Sequence, residues 1–424
     1  MLRHFLRALA VVIVAAVSAP AADWPMFHGP NGDNKSADAG LLDRWPEGGP
    51  ALLWTADFVG DGFSGVSVFG DRLYVTGNVK RDGKELSMVF CLDADGKKVW
   101  ERDNGPAHAN ARTHPGTRGT PAVDGDFVYD ASALGETTCF DAKTGEKIWT
   151  RNPLKEYDAP MPRWIYGHSL VFNGDRLVCM VGGPKALAVA LDKTTGKTIL
   201  EYPPTATPPA AEASYMTPYF FEFEGLRVLV AMSNATAEGY DADTGGRLFS
   251  IPWRNNRTTN VSMPIYRDGR LFLSSGYGFG SKLFTLTKND DGTITASEAW
   301  HADWFDNHHG GVILVGDYVY GASSRGVRGT GWCAIHFLTG DAGYFERSNE
   351  EWASHYADGL IYGLSEKSKT AILLKPDPKA YIELGRFTLP NDAVGMSWAH
   401  PVVCGGKLYL RHGRHLYCYD VKAR

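Results

Sequence analysis

One recurring phrase constrains this chain more than any other feature. It is a short apolar strand, usually an acidic residue, a tight turn ending in Gly, and a large apolar residue four positions later. The clearest copy is CFDAKTGEKIW, from Cys139 to Trp149. Related copies are CLDADGKKVW closing at Trp100, LDKTTGKTIL at Leu200, YDADTGGRLF at Phe249 and HFLTGDAGYF at Tyr344, with looser closures at Trp300 and Phe387. Upstream of each copy stands a Gly/Asp turn followed by an alternating strand, as in GDRLYV from Gly70, GDFVYD from Gly125, GDYVYG from Gly316 and GGKLYL from Gly405. Period-2 alternation bounded by Gly and Asp reads as β-strand and hairpin.

The closing positions Trp54, Trp100, Trp149, Leu200, Phe249, Trp300, Tyr344 and Phe387 are separated by 46, 49, 51, 49, 51, 44 and 43 residues. Each interval has room for four short strands with their turns, the content of one propeller blade. The chain ends check the count. After Phe387 come three strands, HPVVC, KLYLR and HLYCYDV, with no closer, while ALLWT around Trp54 is a closing strand with no preceding blade. Pairing the two completes a ring, which leaves no long exposed edge. The expected fold is therefore all-β: an eight-bladed β-propeller whose N-terminal strand closes the last blade. The turn glycine is expected to supply positive φ, and the aromatic closers to be packing between blades.

Residues 1–22, MLRHFLRALAVVIVAAVSAPAA, have a basic start, an apolar run from Ala8 to Val17 and small residues before Asp23, the pattern of a secretory signal peptide. Residues 23–424 are expected to form a single propeller domain, located in the periplasm or secreted. No later run approaches the length of a membrane helix, and no Cys near the cleavage region indicates a lipid anchor. Without the leader the balance is 41 basic to 48 acidic side chains with no basic cluster, which disfavours a nucleic-acid partner. The six cysteines are far apart and expected to be buried thiols. They form no Cys-x-x-Cys-His haem motif, no Cys-x-x-Cys pair and no adjacent pair.

The phrase AKTGEKIW at 142–149, the opening DWPMFHGPNGDN at 23–34 and WPEGGPALLW at 45–54 resemble the exported PQQ-binding-like (quinoprotein-type) β-propeller repeat proteins. The resemblance covers nearly all of the chain after the leader and speaks for fold more than activity. It implies two function classes. One is dehydrogenases that hold pyrroloquinoline quinone over the channel with calcium and often an adjacent-cysteine disulfide. The other is non-catalytic docking propellers such as the lipoprotein subunit of the outer-membrane β-barrel assembly machine. This chain departs from the first in lacking the Cys-Cys pair and from the second in lacking a lipidation Cys.

In a propeller, the connections from each outer strand to the next inner strand converge at the channel mouth, where function concentrates. Here they carry seven of the thirteen histidines, so the candidate ligand-binding residues are taken from them: Arg118, His168, Tyr215, Asn260, His308, His309, His355, Trp398 and His400. Arg and His over an aromatic floor suit a planar anion, for which pyrroloquinoline quinone with calcium is one candidate. The competing readings are that these residues cap inner strands and bind channel water, or that the imidazoles ligate a metal. His308 and His309 are neighbours, and on an extended strand at most one would face the channel. No metal centre and no catalytic residue is assigned, and NDDG at 289–292 reads as a hairpin turn. The leading expectation is a propeller that binds an envelope protein or a small anionic ligand. The alternative is a quinone-dependent alcohol or sugar dehydrogenase.

Overall fold

The computed structural model describes residues 23–108, 114–207, 209–390 and 395–424; the leader at 1–22 lies outside the described residues. Eight four-stranded antiparallel sheets follow one another around a ring, and the only helix among the described residues is the single turn Pro153–Glu156. Seven blades run from innermost to outermost strand in chain order: 67–106, 122–151, 171–202, 219–252, 265–302, 312–347 and 352–388. The eighth takes three strands from 402–420 and its outermost strand, Ala51–Ala56, from the other end of the chain. That strand pairs from Ala51 opposite Asp420 to Ala56 opposite Leu416.

Hydrophobic clusters straddle blade boundaries instead of sitting inside single blades. One joins the eighth blade, through Val402, Tyr409 and Cys418, to the first, through Val68, Leu73 and Phe90, so the ring is closed by packing as well as by pairing. A buried Arg411 adds a polar clasp at the same seam. Its guanidinium donates to the carbonyls of Gly60, Ser64, Thr76 and Gly413, which satisfies a charge that burial alone would penalise.

The recurring phrase acts between blades. The indole N–H of Trp54 donates to Ala94 at 3.1 Å, Trp100 to Ala142 at 3.0 Å, Trp149 to Lys193 at 3.0 Å and Trp300 to Phe337 at 3.1 Å, each acceptor being a carbonyl of the next blade. Each indole also covers the turn glycine of that blade: a Cβ at Gly96, Gly145, Gly196 or Gly340 would lie 2.4 to 2.7 Å from the ring. Glycine is thus required twice, for a φ near +70° to +78° and for this close approach.

Register explains the rest of the pattern. The outer strand pair of every blade carries an irregularity, and in most blades the skipped residue is the one before the closer. The closer then stands opposite a small residue: Trp54 faces Cys418, Trp100 faces Cys91, Trp149 faces Cys139 and Phe249 faces Gly239. Three of the six buried free thiols are therefore space-savers for an aromatic ring. Blade seven corrects one sequence assignment. Gly385, not Phe387, holds the closer's register there, because Trp45 from the N-terminal segment lies over Gly385, 2.6 Å from where a Cβ would be. Phe387 still makes the inter-blade contact, against Gly49, which leads into the closing strand.

Gly145→Ala is expected to destabilise the fold by more than about 2 kcal/mol, since it combines positive φ, about 1 kcal/mol, with a clash against Trp100. Gly70→Ala has the same backbone problem and open space around it, so it should cost about 1 kcal/mol. Equal losses in chemical denaturation would refute the close-approach argument.

Candidate functional site

The connections that lead into the innermost strands surround an axial cavity of about 340 Å³. Its floor comes from the N-terminal segment, which crosses the ring beneath it. Trp24 bridges to Val68 of the first blade, Pro25 accepts from Val123 of the second, and Lys35 bridges to Tyr356 of the seventh. Phe27 and His28 face upward into the cavity. His28 holds φ +64°, a conformation rare for a residue with a Cβ and typical of a constrained site.

Six of the nine sequence candidates meet on this cavity: Arg118, Tyr215, His308, His309, Trp398 and His400. Three do not. His168 sits between the lining residues Gly167 and Ser169; alternation turns it away from the axis, beside Tyr166 at 4.7 Å. Asn260 likewise alternates with Thr259 and Val261 and cross-braces two blades, accepting from Ser275 Oγ at 2.8 Å and donating to the Ser233 carbonyl at 3.3 Å. His355 ties the N-terminal segment to the last two blades: its Nδ1 is 3.1 Å from Asn34 Oδ1 and its Nε2 accepts from the Val403 amide at 3.3 Å.

The expectation that only one of His308 and His309 faces the channel is corrected. Both line it, with ring centroids 3.6 Å apart, because residues 305–311 are irregular and strand alternation does not apply. Asp306, fully buried, organises the ground beneath them. Its Oδ1 accepts from the amides of Ser324, Arg325 and Gly326 and from Ser323 Oγ, and its Oδ2 accepts from Gly278. A run of three successive amides on one carboxylate sets the turn that brings Ser324 and Arg325 to the cavity.

An aromatic stack forms one wall. Trp398 lies 4.4 Å from Phe63 and 4.7 Å from His309, the latter nearly parallel at 20°. The Arg118 guanidinium lies 5.8 Å over Phe63 and donates to the His114 carbonyl at 3.3 Å. Below, His28 Nε2 and His400 Nδ1 are 3.1 Å apart, and His400 Nε2 is 2.8 Å from the His309 carbonyl. Since a carbonyl only accepts, His400 carries its proton on Nε2 and takes a hydrogen bond from His28. Gly311 makes room for that ring, as its Cβ would lie 2.7 Å from His400 Cε1.

Burial sets the charge states. It pushes His308 down to about 3 and His400 to about 4, with a small rise in His400 from its bond to His309. His309 and His28 are held well below 6.5 by burial and then by neighbouring imidazoles. The imidazoles are neutral at physiological pH, the form that ligates metals. Burial lowers Arg118 to about 10, so it stays a cation, and desolvation beside Glu366 raises Glu351. Three residues can hold a metal ion: ligand atoms of His308, His309 and Glu351 lie within 4.8 Å of one another.

A family model described as outer membrane protein assembly factor BamB matches residues 86–335. The chain belongs to this family of PQQ-like β-propellers. Among curated proteins, the quinohemoprotein alcohol dehydrogenase ADH IIB of Pseudomonas putida is 35% identical over 119 residues, which is 26% of this chain and only 16% of that enzyme. Among solved structures, quinohemoprotein alcohol dehydrogenase from Comamonas testosteroni is similar with a TM-score of 0.64 at 13% identity, over 96% of this chain and 82% of that one. BamB from Moraxella catarrhalis is similar with a TM-score of 0.57 at 14% identity, over 88% of this chain and 98% of that one. At such identities the structures share the fold alone.

Sequence reasoning missed His28, Phe27, Tyr277, Arg325, Glu351 and Glu366 on the cavity wall. Only Phe27 and His28 carried a signal, as both lie in the opening DWPMFHGPNGDN. Arg325 and Glu351 stand on a hairpin extension and a connection of ordinary composition.

Two histidines buried away from the cavity predict an acid sensitivity. Burial holds His168 at about 4 and His355 at about 3 when folded, below the ordinary 6.5, so between those values the unfolded chain binds more protons. Unfolding free energy should therefore fall as pH drops below about 6.5, on the order of 1 kcal/mol per pH unit for each histidine. Urea denaturation at about pH 7 and about pH 5 reads the slope, and His168→Gln should make it shallower. An unchanged slope would count against a buried neutral imidazole.

Proposed function

We propose that this protein is an exported binding propeller that takes a small, planar anion into its axial cavity. The observation that carries this reading is the conjunction of a half-buried guanidinium, Arg118, with an aromatic wall, Phe63 and Trp398, in an axial cavity of about 340 Å³. A buried cation gains most from a carboxylate that replaces lost hydration, and the stacked rings supply a matching plane. Trp398 lines this region, and its indole N–H is buried without a hydrogen-bond partner among the described residues. Export rests on the leader-like residues 1–22; no described helix is long and apolar enough to cross a membrane.

Pyrroloquinoline quinone answers part of this description, being planar and carboxylated. The calcium that accompanies it in the dehydrogenases fits less well, because calcium needs six to eight oxygen donors and the convergent set here is two imidazoles and one carboxylate. None of the six cysteines lines the cavity, and the sequence has no haem-attachment motif. We therefore derive no redox step through the quinone.

A protein-docking role has one observation in its favour. The residues before four successive closers, Leu53, Val99, Ile148 and Ile199, are 43 to 47% exposed on the outer strands of four adjacent blades, a spaced apolar series on the rim. It does not compete with the cavity for the same surface.

Titration of the mature chain with pyrroloquinoline quinone, followed by tryptophan fluorescence and thermal shift, tests the anion site. Saturable binding that calcium does not strengthen is expected, with Arg118→Ala weakening it by about 10- to 100-fold, the value of a charge-assisted hydrogen bond. Absence of saturable binding, or an Arg118→Ala variant of unchanged affinity, would remove the reading.

A further inference from the structure

Beside the aromatic stack, whose end His309 forms, the cavity wall gathers three donors from two successive connections. His308 and His309 come from the irregular 305–311 segment between blades five and six, and Glu351 from the link between blades six and seven. We propose that His308, His309 and Glu351 bind one divalent first-row transition-metal ion, with its remaining coordination positions open to the axial cavity. This goes beyond the anion site and does not depend on it.

Geometry is the first support. The three ligand atoms lie within 4.8 Å of one another. An ion about 2.1 Å from each donor needs them about 3.5 to 4 Å apart, so adjustments of about 1 Å in side chains close the site.

The orphaned nitrogens are the second. His308 Nε2 and His309 Nδ1 are both buried without a hydrogen-bond partner among the described residues, and His308 is only 7% exposed. Leaving such a group unsatisfied costs about 1 to 3 kcal/mol, and two adjacent imidazoles sharing that defect are readily explained by a common ligand.

The rings are also held before any ion arrives. His309 lies against Trp398, and its backbone carbonyl is taken by His400. His308 packs edge-on to Tyr277 at 4.6 Å and sits over Gly276, where a Cβ would be 2.9 Å from the His308 Cβ. Glu351 is held through its backbone carbonyl, which accepts from the Glu366 amide at 2.8 Å. Arg325 also approaches, but it is exposed and lies 5.8 Å over the Tyr277 ring. Support of this kind around the ligands is what metal sites rely on for orientation.

The donor chemistry selects the ion. Two imidazoles and one carboxylate suit zinc, iron, cobalt, nickel or copper, whereas calcium and magnesium prefer oxygen throughout. Three protein donors facing a cavity leave room for water or a ligand atom, unlike the closed four-donor sites that only brace a fold. An organic anion held at Arg118 would share this cavity with the ion.

The test uses untagged, chelator-treated mature protein and cobalt(II) chloride with no organic ligand present. Metal content after gel filtration and visible ligand-field bands are read together. One cobalt per chain is expected, with His308→Gln, His309→Gln and Glu351→Gln each weakening uptake by at least about tenfold. His301→Ala, at an exposed histidine on an outer strand, should bind as the parent does. Circular dichroism identifies which variants are folded; any folded variant of the three that keeps full uptake overturns the assignment, as does substoichiometric cobalt in the parent. Cobalt binding without quinone binding, or the reverse, separates this inference from the anion site.

Discussion

The ring depends on one contact made at four of its eight blade junctions: an indole of one blade lies on the turn glycine of the next, its N–H donated to a carbonyl beside that turn. It unites burial of a large ring with a directional bond, so it fixes both the distance and the angle between neighbouring sheets. Small residues opposite the ring, three of them cysteines, make the space. Four blades are docked on their neighbours by this means and the others by apolar closers at corresponding positions, so the connections at the mouth converge on one axis.

The ring seam is the place where this repeat cannot operate unaided, because the eighth blade is assembled from both chain ends. Three different devices meet there. The strand Ala51–Ala56 supplies backbone pairing, Arg411 spans the seam with bonds to carbonyls, and Phe387 on Gly49 repeats the ring-on-glycine contact with altered register. The segment before that strand then crosses beneath the ring and closes the channel, which turns a pore into a pocket with His28 at its base.

The cavity combines groups that are expensive to bury: a guanidinium, several imidazoles, two carboxylates and an indole N–H. Much of this polarity is satisfied internally, as by the His28–His400–His309 chain and the Asp306 turn. Among the described residues, His308 Nε2, His309 Nδ1 and Trp398 Nε1 are left without partners, beside the stacked rings of Phe63 and Trp398. A cavity that keeps unpaired polar nitrogens in its wall is organised for something that enters it.

The blades were legible from the chain alone because their cause is local and repeated. Gly turns, alternating strands and closers at blade spacing determine eight units, and the incomplete first and last units determine how they join. The mouth was legible as a region, since histidines concentrate in the connections, and six of nine candidates meet there. Residue by residue it was not. Whether His168 or Ser169 faces the axis depends on where strand alternation begins, and whether both His308 and His309 do depends on its being interrupted by Asp306. Glu351 joins them only because two connections from successive blades are brought side by side. The sequence by itself determined the architecture, because that rests on periodic short-range patterns; the tertiary structure alone decided the site, because its members are separated along the chain and meet only when the ring closes.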